Sequence, residues 1–396
     1  MSLRGQLALA GAALLVVFAV ATTTGPFSDV TVNDLFVYGT YAQLMHDGQL
    51  PYIGFGFEYP PLAAIPIWLA GVPGLSARTI EWDFGAMMAL CLLAGQQLAA
   101  RLAGPGREGP IVAWLLVLSP VLIGAQVRTH FDPLPIAIAL AGLLALVRER
   151  RDLAFVLLGV GTMTKLFPGL LAVVALAWLL GRGERRAALR GGAIFAAVVV
   201  AISLPLAGQG YLDSFTFHLD RPVQIESTPA TVLFALGGSQ VTGTNLRPDR
   251  FKSNGLDGGH AKAVEAVFAL LLVLVLAAIA WLAAQRPEAR HAVMCGFAAL
   301  LAFVALGKVF SPQYVIWLAP FAALAWVWRL PVVAALTTAA IVLTQVEFPS
   351  RYFDLINVQH GVVLIVAARN CLLLVALVVL AAQLARRSAP RLHFLA

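Results

Sequence analysis

Twelve apolar runs, near 5–23, 83–100, 109–126, 133–147, 153–164, 167–181, 190–206, 263–285, 291–307, 313–328, 331–346 and 362–385, occupy most of this chain. In hydrocarbon every backbone N–H and C=O must be satisfied within its own segment, so a run of about twenty apolar residues crosses a bilayer as a helix. The pattern predicts an all-α polytopic membrane protein of about twelve transmembrane helices, forming one integral-membrane domain over 1–396. With 60% hydrophobic and 12% charged residues, the chain has too little polar surface to cover a water-soluble domain.

The net charge of +7 does not describe a nucleic-acid surface, because the basic residues lie in short clusters between the apolar runs. Those clusters are Arg4; Arg101 and Arg107; Arg148, Arg150 and Arg151; Arg182, Arg185, Arg186 and Arg190; Arg286 and Arg290; Arg329; and Arg386, Arg387 and Arg391. With run 5–23 kept as the first helix rather than a cleaved signal, an even number of spans puts every cluster and both termini in the cytoplasm. The other connections then face outward: 24–82, 127–132, the 162–168 break, 207–262, 308–312 and 347–361. Two stretches, 59–74 and 231–238, are too short to span and read as re-entrant or interfacial helices; a crossing at 59–74 would reverse the sides of everything after it. Runs 153–164 and 167–181 read as half-length helices meeting at a break that places Lys165 near the outer surface. The loop at 238–262 is rich in Gly and Asn and reads as mobile. Cys91, Cys295 and Cys371 each lie inside an apolar run without ligand spacing, so neither a disulfide framework nor a metal site is indicated.

The first outward loop holds Asp29, Asp34, Asp47 and Glu58 over residues 24–62, without a single Lys or Arg, and interleaves Phe36, Tyr38, Tyr41, Tyr52, Phe55, Phe57 and Tyr59 with Gly and Pro. Asp34 reads either as a general base for an acceptor hydroxyl or as the N-cap of a helix. Glu58 reads as a second site carboxylate binding sugar hydroxyls or as a solvated loop end. The loop 211–229 gathers His218, Asp220, Arg221, Gln224 and Glu226, which suits a ligand with phosphate and hydroxyls but also an internally bonded loop. VRTHFDP (127–133) offers Arg128, His130 and Asp132, the last equally a cap for the next helix. Lys165, Lys308 and Arg369 are cations at membrane depth, where charge is costly and faces a cavity or a partner. Together they suit a lipid phosphate, or, for Arg369, an ion pair between helices.

D-x-x-V-Y (34–38), G-Q-L-P-Y (48–52) and E-Y-P-P-L (58–62) resemble the first extracytoplasmic loop of the GT-C type polyprenyl-phosphate-mannose-dependent α-mannosyltransferases of glycosyltransferase family 87. T-K-L-F-P (164–168), H-L-D-R-P-V-Q-I-E-S (218–227) and K-V-F-S-P-Q-Y-V-I-W (308–317) agree, in order along the chain. The resemblance implies a GT-C-like inverting enzyme of cell-envelope glycolipid biosynthesis, with no cofactor and no bound metal. Its donor would be polyprenyl-phosphate-mannose and its acceptor a glycolipid or lipid-linked saccharide. It implies Asp34 as the base, with Asp29 its nearest competitor. Arg221, Lys308, Lys165 and Arg369 become the donor-phosphate cluster, and Glu58, His218, Gln224, Glu226, Gln313 and Tyr314 the sugar- and acceptor-binding residues. Two readings stay beside it: another polyprenyl-phosphate sugar, glucose or arabinose, and a transporter or flippase of lipid-linked saccharide.

Overall fold

The structure, a computed structural model, describes residues 2–243 and 254–388, with side chains to 386. Arg391 and the centre of the 238–262 loop lie outside the described residues. Every apolar run folds as helix, and six of the described helices are long and apolar enough to cross a bilayer: α1 (Leu3–Thr23), α4 (Ala77–Ala103), α11 (Arg185–Ser203), α14 (Ala261–Ala283), α15 (Ala289–Leu306) and α19 (His360–Ser388). Run 109–126 is broken instead into α5 (Glu108–Val117), α6 (Ser119–Ile123) and α7 (Gln126–Thr129), with Pro120 at the start of α6. The remaining apolar helices are shorter: α8 (Pro133–Val147), α9 (Arg151–Thr164), α10 (Pro168–Gly181), α16 (Val315–Val327) and α17 (Pro331–Glu347). Proline opens α8, α10 and α17, where its missing N–H and fixed φ cost nothing. Helix α15 runs through the centre with nearly every side chain buried, including Cys295.

One end of the bundle is basic and interlocked. Arg151 pairs with Glu149 and Glu184, Arg182 with Glu149 and Glu184, and Arg190 with Asp152, tying the α8–α9 turn to the α10–α11 turn. Gly181 lies against the backbone of Ala284 with no room for a Cβ, bringing the α14 terminus to the same place. Arg290 reaches Glu108 at 2.6 Å and covers the Trp328 ring, whose indole N–H bonds the Ala103 carbonyl. Five of the predicted basic clusters therefore share one end.

At the opposite end the first loop folds over a small core of its own. It contains α2 (Leu35–His46) and α3 (Ala64–Ala70), and Tyr38, Tyr41, Tyr52 and Phe57 pack on Phe84 and Phe131. Seven residues make about 10 Å of helix, so α3 is too short to span, as expected of the 59–74 stretch. Segment 211–229 is not the simple loop expected: it is helical through α12 (Gln209–Asp220), followed by strand β1 (Val223–Gln224), and α13 (Thr228–Leu236) covers the short apolar stretch. Gly210 is needed in α12 because a Cβ there would sit 2.0 Å from the Tyr52 carbonyl oxygen. Strands β2 (Gln240–Gly243) and β3 (Asn254–Asp257) complete an antiparallel sheet in the order β1-β3-β2, with Leu256 between Val223 and Val241. Strands of two to four residues carry no period to read, which is why none was expected. The short helix α18 (Tyr352–Ile356) closes this end, where Tyr352 accepts a hydrogen bond from Asn254.

Candidate active site

Asp34 occupies the N-cap position of α2 but does not cap it; the neighbouring Asn33 takes the Leu35 N–H instead. That frees the Asp34 carboxylate to turn toward the recess. Its Oδ2 accepts the Tyr38 hydroxyl at 3.2 Å and the Tyr59 hydroxyl at 3.3 Å, with His130 Nε2 at 3.6 Å. All three contacts fall on Oδ2, and the side chain keeps 31% of its surface exposed, leaving Oδ1 as the open oxygen. The aromatic core holds Tyr59 in place: its ring meets Phe131 edge-on at 5.0 Å, and the Tyr52 hydroxyl bonds its carbonyl. Asp29 is differently employed, one oxygen on the Thr31 backbone and hydroxyl and the other on Ser350; the Thr31 hydroxyl above all holds its pKa below the usual carboxylate range.

Next to Asp34, the break between α9 and α10 presents Lys165 as expected, but not as a free cation. Its ammonium bonds both oxygens of the fully buried Asp132, at 2.7 and 2.8 Å, and the Trp317 indole N–H donates to the same carboxylate at 2.6 Å. Phe131, Tyr314 and Trp317 turn their rings toward the Lys165 nitrogen at 4.8 to 5.6 Å. Helices α8, α9, α10 and α16 have 15, 14, 14 and 13 residues. At about 1.5 Å per residue they end some 8 to 10 Å short of a bilayer's ~30 Å hydrocarbon thickness. Asp132, Lys165 and Tyr314, at the ends of α8, α9 and α16 away from the basic turns, therefore lie below the level that the longer spans reach and floor a recess beside Asp34.

The third wall is the end of α12. His218 Nε2 lies 3.0 Å from the Glu58 carbonyl oxygen, and burial, helped by Arg221, Lys308 and Lys165, holds the imidazole below its usual pKa. A neutral ring thus donates to that carbonyl. The charge of Arg221 acts on Glu58, His218 and Tyr314, placing its guanidinium among them, over the Phe217 ring at 5.6 Å. Burial first, then the Asp34 charge, push the Glu58 carboxyl up to about 7 against the pull of Tyr59, Arg221 and Lys165. A raised pKa means that the folded protein favours the neutral acid, so this contribution to stability is present at low pH and is lost as pH rises through 7. Relative to Glu58→Gln, wild type is therefore expected to lose melting temperature between pH 5 and pH 8. Equal losses in the two proteins would place Glu58 in an ordinary solvated setting.

Several expected ligand residues sit elsewhere. The three N–H of Lys308 go to the Leu219 carbonyl (2.6 Å), the Arg221 carbonyl (3.1 Å) and Glu265 (2.7 Å). An ammonium has only three, so Lys308 clamps α12 to α14 and positions Arg221 rather than offering itself to a phosphate. Arg369 is fully buried, bonded to the Glu226 carbonyl and Asn370, 3.6 Å from Glu347 and over Phe310 at 3.8 Å. It is the interhelical partner, not the phosphate ligand. Gln224 and Glu226 are buried and bonded to each other at 2.5 Å, and Gln224 also accepts the Phe310 N–H, so neither side chain faces the recess as a sugar ligand. Gln313 is buried too, its amide oxygen accepting from Ser311. The structure thus brings together Asp34, Glu58, Lys165, His218, Arg221 and Tyr314, and draws in Tyr38, Tyr59, His130, Asp132 and Trp317. Of these additions, His130 and Asp132 had a signal in sequence: both belong to the 127–133 stretch already offered there, and a lone lysine at membrane depth needs a counter-ion such as Asp132. The tyrosine clamp on Asp34 had none, since Tyr59 is 25 residues away.

An open carboxylate oxygen beside a guanidinium and a half-neutralised ammonium can take a proton from a hydroxyl while a leaving anion is stabilised. Among the described residues no three or more His, Cys, Asp or Glu side chains are grouped to hold a metal. Among curated proteins no sequence matches the chain. Residues 57–312, more than half of the chain and carrying Glu58, Lys165, His218, Arg221 and Lys308, match the sequence model of glycosyltransferase family 87, and the chain belongs to that family.

Proposed function

We propose that this glycosyltransferase moves mannose from polyprenyl-phosphate-mannose to a hydroxyl of a glycolipid or lipid-linked acceptor, with inversion, at the extracytoplasmic face of the cytoplasmic membrane. The observation that carries the reading is Asp34, held through one oxygen and open at the other, in a recess shared with Lys165 and Arg221. Asp34 Oδ1 takes the proton as the acceptor oxygen attacks the anomeric carbon from the face opposite the phosphate. The C1–O bond breaks with its electron pair leaving on the lipid phosphate, which departs as an anion and is met by Arg221 and Lys165. Because the leaving group departs already charged, cations do the work of a general acid.

Two features support a lipid-borne donor at the outer face. The recess lies at membrane depth, where a phosphate on a prenyl chain can enter while the chain stays in hydrocarbon. The interlocked basic clusters lie at the other end of the bundle, and basic loops remain cytoplasmic. Twelve crossings, counting the short helices, would leave both termini inside. Family membership favours transfer over the transporter reading.

The test is transfer by the purified protein in nanodiscs, offered polyprenyl-phosphate-mannose, -glucose and -arabinose with a panel of glycolipid acceptors. Mannose transfer with an α-linked product from a β-linked donor is expected. Preference for glucose or arabinose would keep the mechanism and change the donor; lipid-linked saccharide flipping without any transfer would revive the transporter.

A further inference from the structure

Helix α12 has three different sides. Gly210 and His218 turn inward, Gly210 against the Tyr52 backbone and His218 onto the Glu58 carbonyl, with Ser214 buried between them. Asp213, Thr216 and Asp220 are exposed along one flank. Leu212, Phe215 and Leu219 keep the i, i+3, i+7 spacing of a single stripe along the other, and are 57, 42 and 72% exposed. A helix so sided lies flat at a membrane surface, its polar flank to water and its apolar flank to hydrocarbon.

The two ends of α12 are fastened to different membrane helices. The Tyr211 hydroxyl bonds that of Ser203, the last residue of α11, at 2.8 Å. At the other end Lys308 joins the Leu219 carbonyl (2.6 Å) to Glu265 (2.7 Å), near the start of α14. Twelve residues make about 18 Å of helix, enough to bridge α11 and α14 across the single helix between them. That helix is α10, which packs on both. The inner ends are level, because Gly181 at the end of α10 touches Ala284 just past α14, and α11 begins at Arg185. With 14 residues in α10, 19 in α11 and 23 in α14, α10 stops about 8 Å below the outer end of α11 and about 13 Å below that of α14. An opening results, with α10 as its sill, α11 and α14 as its sides and α12 across its top. Leu166, just ahead of α10, is 48% exposed, and few side chains of α11 or α14 are buried, so the opening faces lipid. Lys165 immediately precedes Leu166 at the sill, and Arg221 immediately follows α12 at the top.

We infer that the prenyl chain of the donor lies in this opening, beneath Leu212, Phe215 and Leu219 and over Leu166, with its phosphate drawn inward to Lys165 and Arg221. This rests on the donor being a polyprenyl-phosphate sugar. A phospholipid keeps its headgroup at the surface, level with the polar flank of α12. A lipid whose phosphate sits some 8 Å deeper, at the level of Lys165, must pass beneath that helix, and it meets apolar side chains until it reaches the two cations.

Two measurements on the full-length protein in nanodiscs test the path. The first is irradiation with polyprenyl phosphate carrying a diazirine in its first isoprene units, the adducts being mapped by mass spectrometry. Adducts at Leu166 and along Leu212–Leu219 are expected, suppressed by excess unlabelled polyprenyl phosphate. Adducts confined to another gap between helices would overturn the inference, and so would labelling here that a diazirine phospholipid reproduces and polyprenyl phosphate does not displace. The second is kinetic. The double variant Phe215→Ser/Leu219→Asn should raise the KM for long-chain polyprenyl-phosphate-mannose about 10-fold relative to the KM for farnesyl-phosphate-mannose, the scale of one or two lost apolar contacts. Val20→Asn, equally lipid-exposed but on α1, should leave that ratio in place. Equal rises in both KM values, or a fall in melting temperature with the ratio unmoved, would make the stripe a structural feature. If wild type transfers no mannose from either donor, the proposed reaction falls; the adducts still decide the path of the chain, because that probe carries no sugar.

Discussion

Asp34→Asn is expected to lower kcat by about 10²- to 10⁴-fold, the range of a lost general base, with donor binding intact. The amide is nearly isosteric, so its oxygen can still take the Tyr38 and Tyr59 hydroxyls that anchor Oδ2, and α2 keeps its first turn because Asn33 bonds the Leu35 N–H. What disappears is the basic oxygen facing the recess. The check is single-turnover transfer beside equilibrium binding of polyprenyl-phosphate-mannose. Transfer lost with binding kept supports the base. A rate near wild type would pass the role to Glu58, whose carboxyl burial pushes up to about 7, close to the working range of a base. Asp29 is a poor candidate, because Thr31 and Ser350 already use both of its oxygens.

The second large effect is on folding. Asp132 is fully buried and accepts two bonds from Lys165 and one from Trp317. Asp132→Ala strands a mostly buried ammonium and an indole N–H, and removing one partner of a buried ion pair typically costs about 3–5 kcal/mol. A clear fall in melting temperature is expected, together with loss of transfer, because the floor of the recess is built on this contact. Lys165→Met removes the stranded charge, so the double variant Asp132→Ala/Lys165→Met should regain much of the stability and none of the activity. Stability that stays low in the double variant would show that Trp317, not Lys165, is the costly orphan.

The contrast between the two lone cations that sequence reading treated alike is instructive. Lys165 sits in the break between two apolar runs and Arg369 inside one, and at that level each is a charge in search of a partner. Lys165 lies at the end of two helices too short to reach the bilayer surface, so it meets the recess. Arg369 lies about two and a half turns into α19, against Phe310 and the Glu226 carbonyl, so it ties α19 to the segment leading into α13. Lys308 shows a third case: its place in the matched motif is in order, yet its three donors are spent on carbonyls and Glu265. Which cation has an N–H to spare depends on acceptors 43 to 89 residues away, and no local pattern encodes that.

From sequence alone came the class of protein, the helical runs, the gathering of basic loops at one end and the acidic aromatic loop holding Asp34. These follow from hydrocarbon solvation and charge placement, which act run by run and need no knowledge of neighbours. Only the tertiary structure decided which oxygen of Asp34 is open, that Tyr59, His130 and Asp132 belong to the site, and that Arg369, Gln224 and Glu226 do not. Those are questions of hydrogen-bond supply among side chains brought together from distant segments, and a buried donor or acceptor is committed only when packing has chosen its partner.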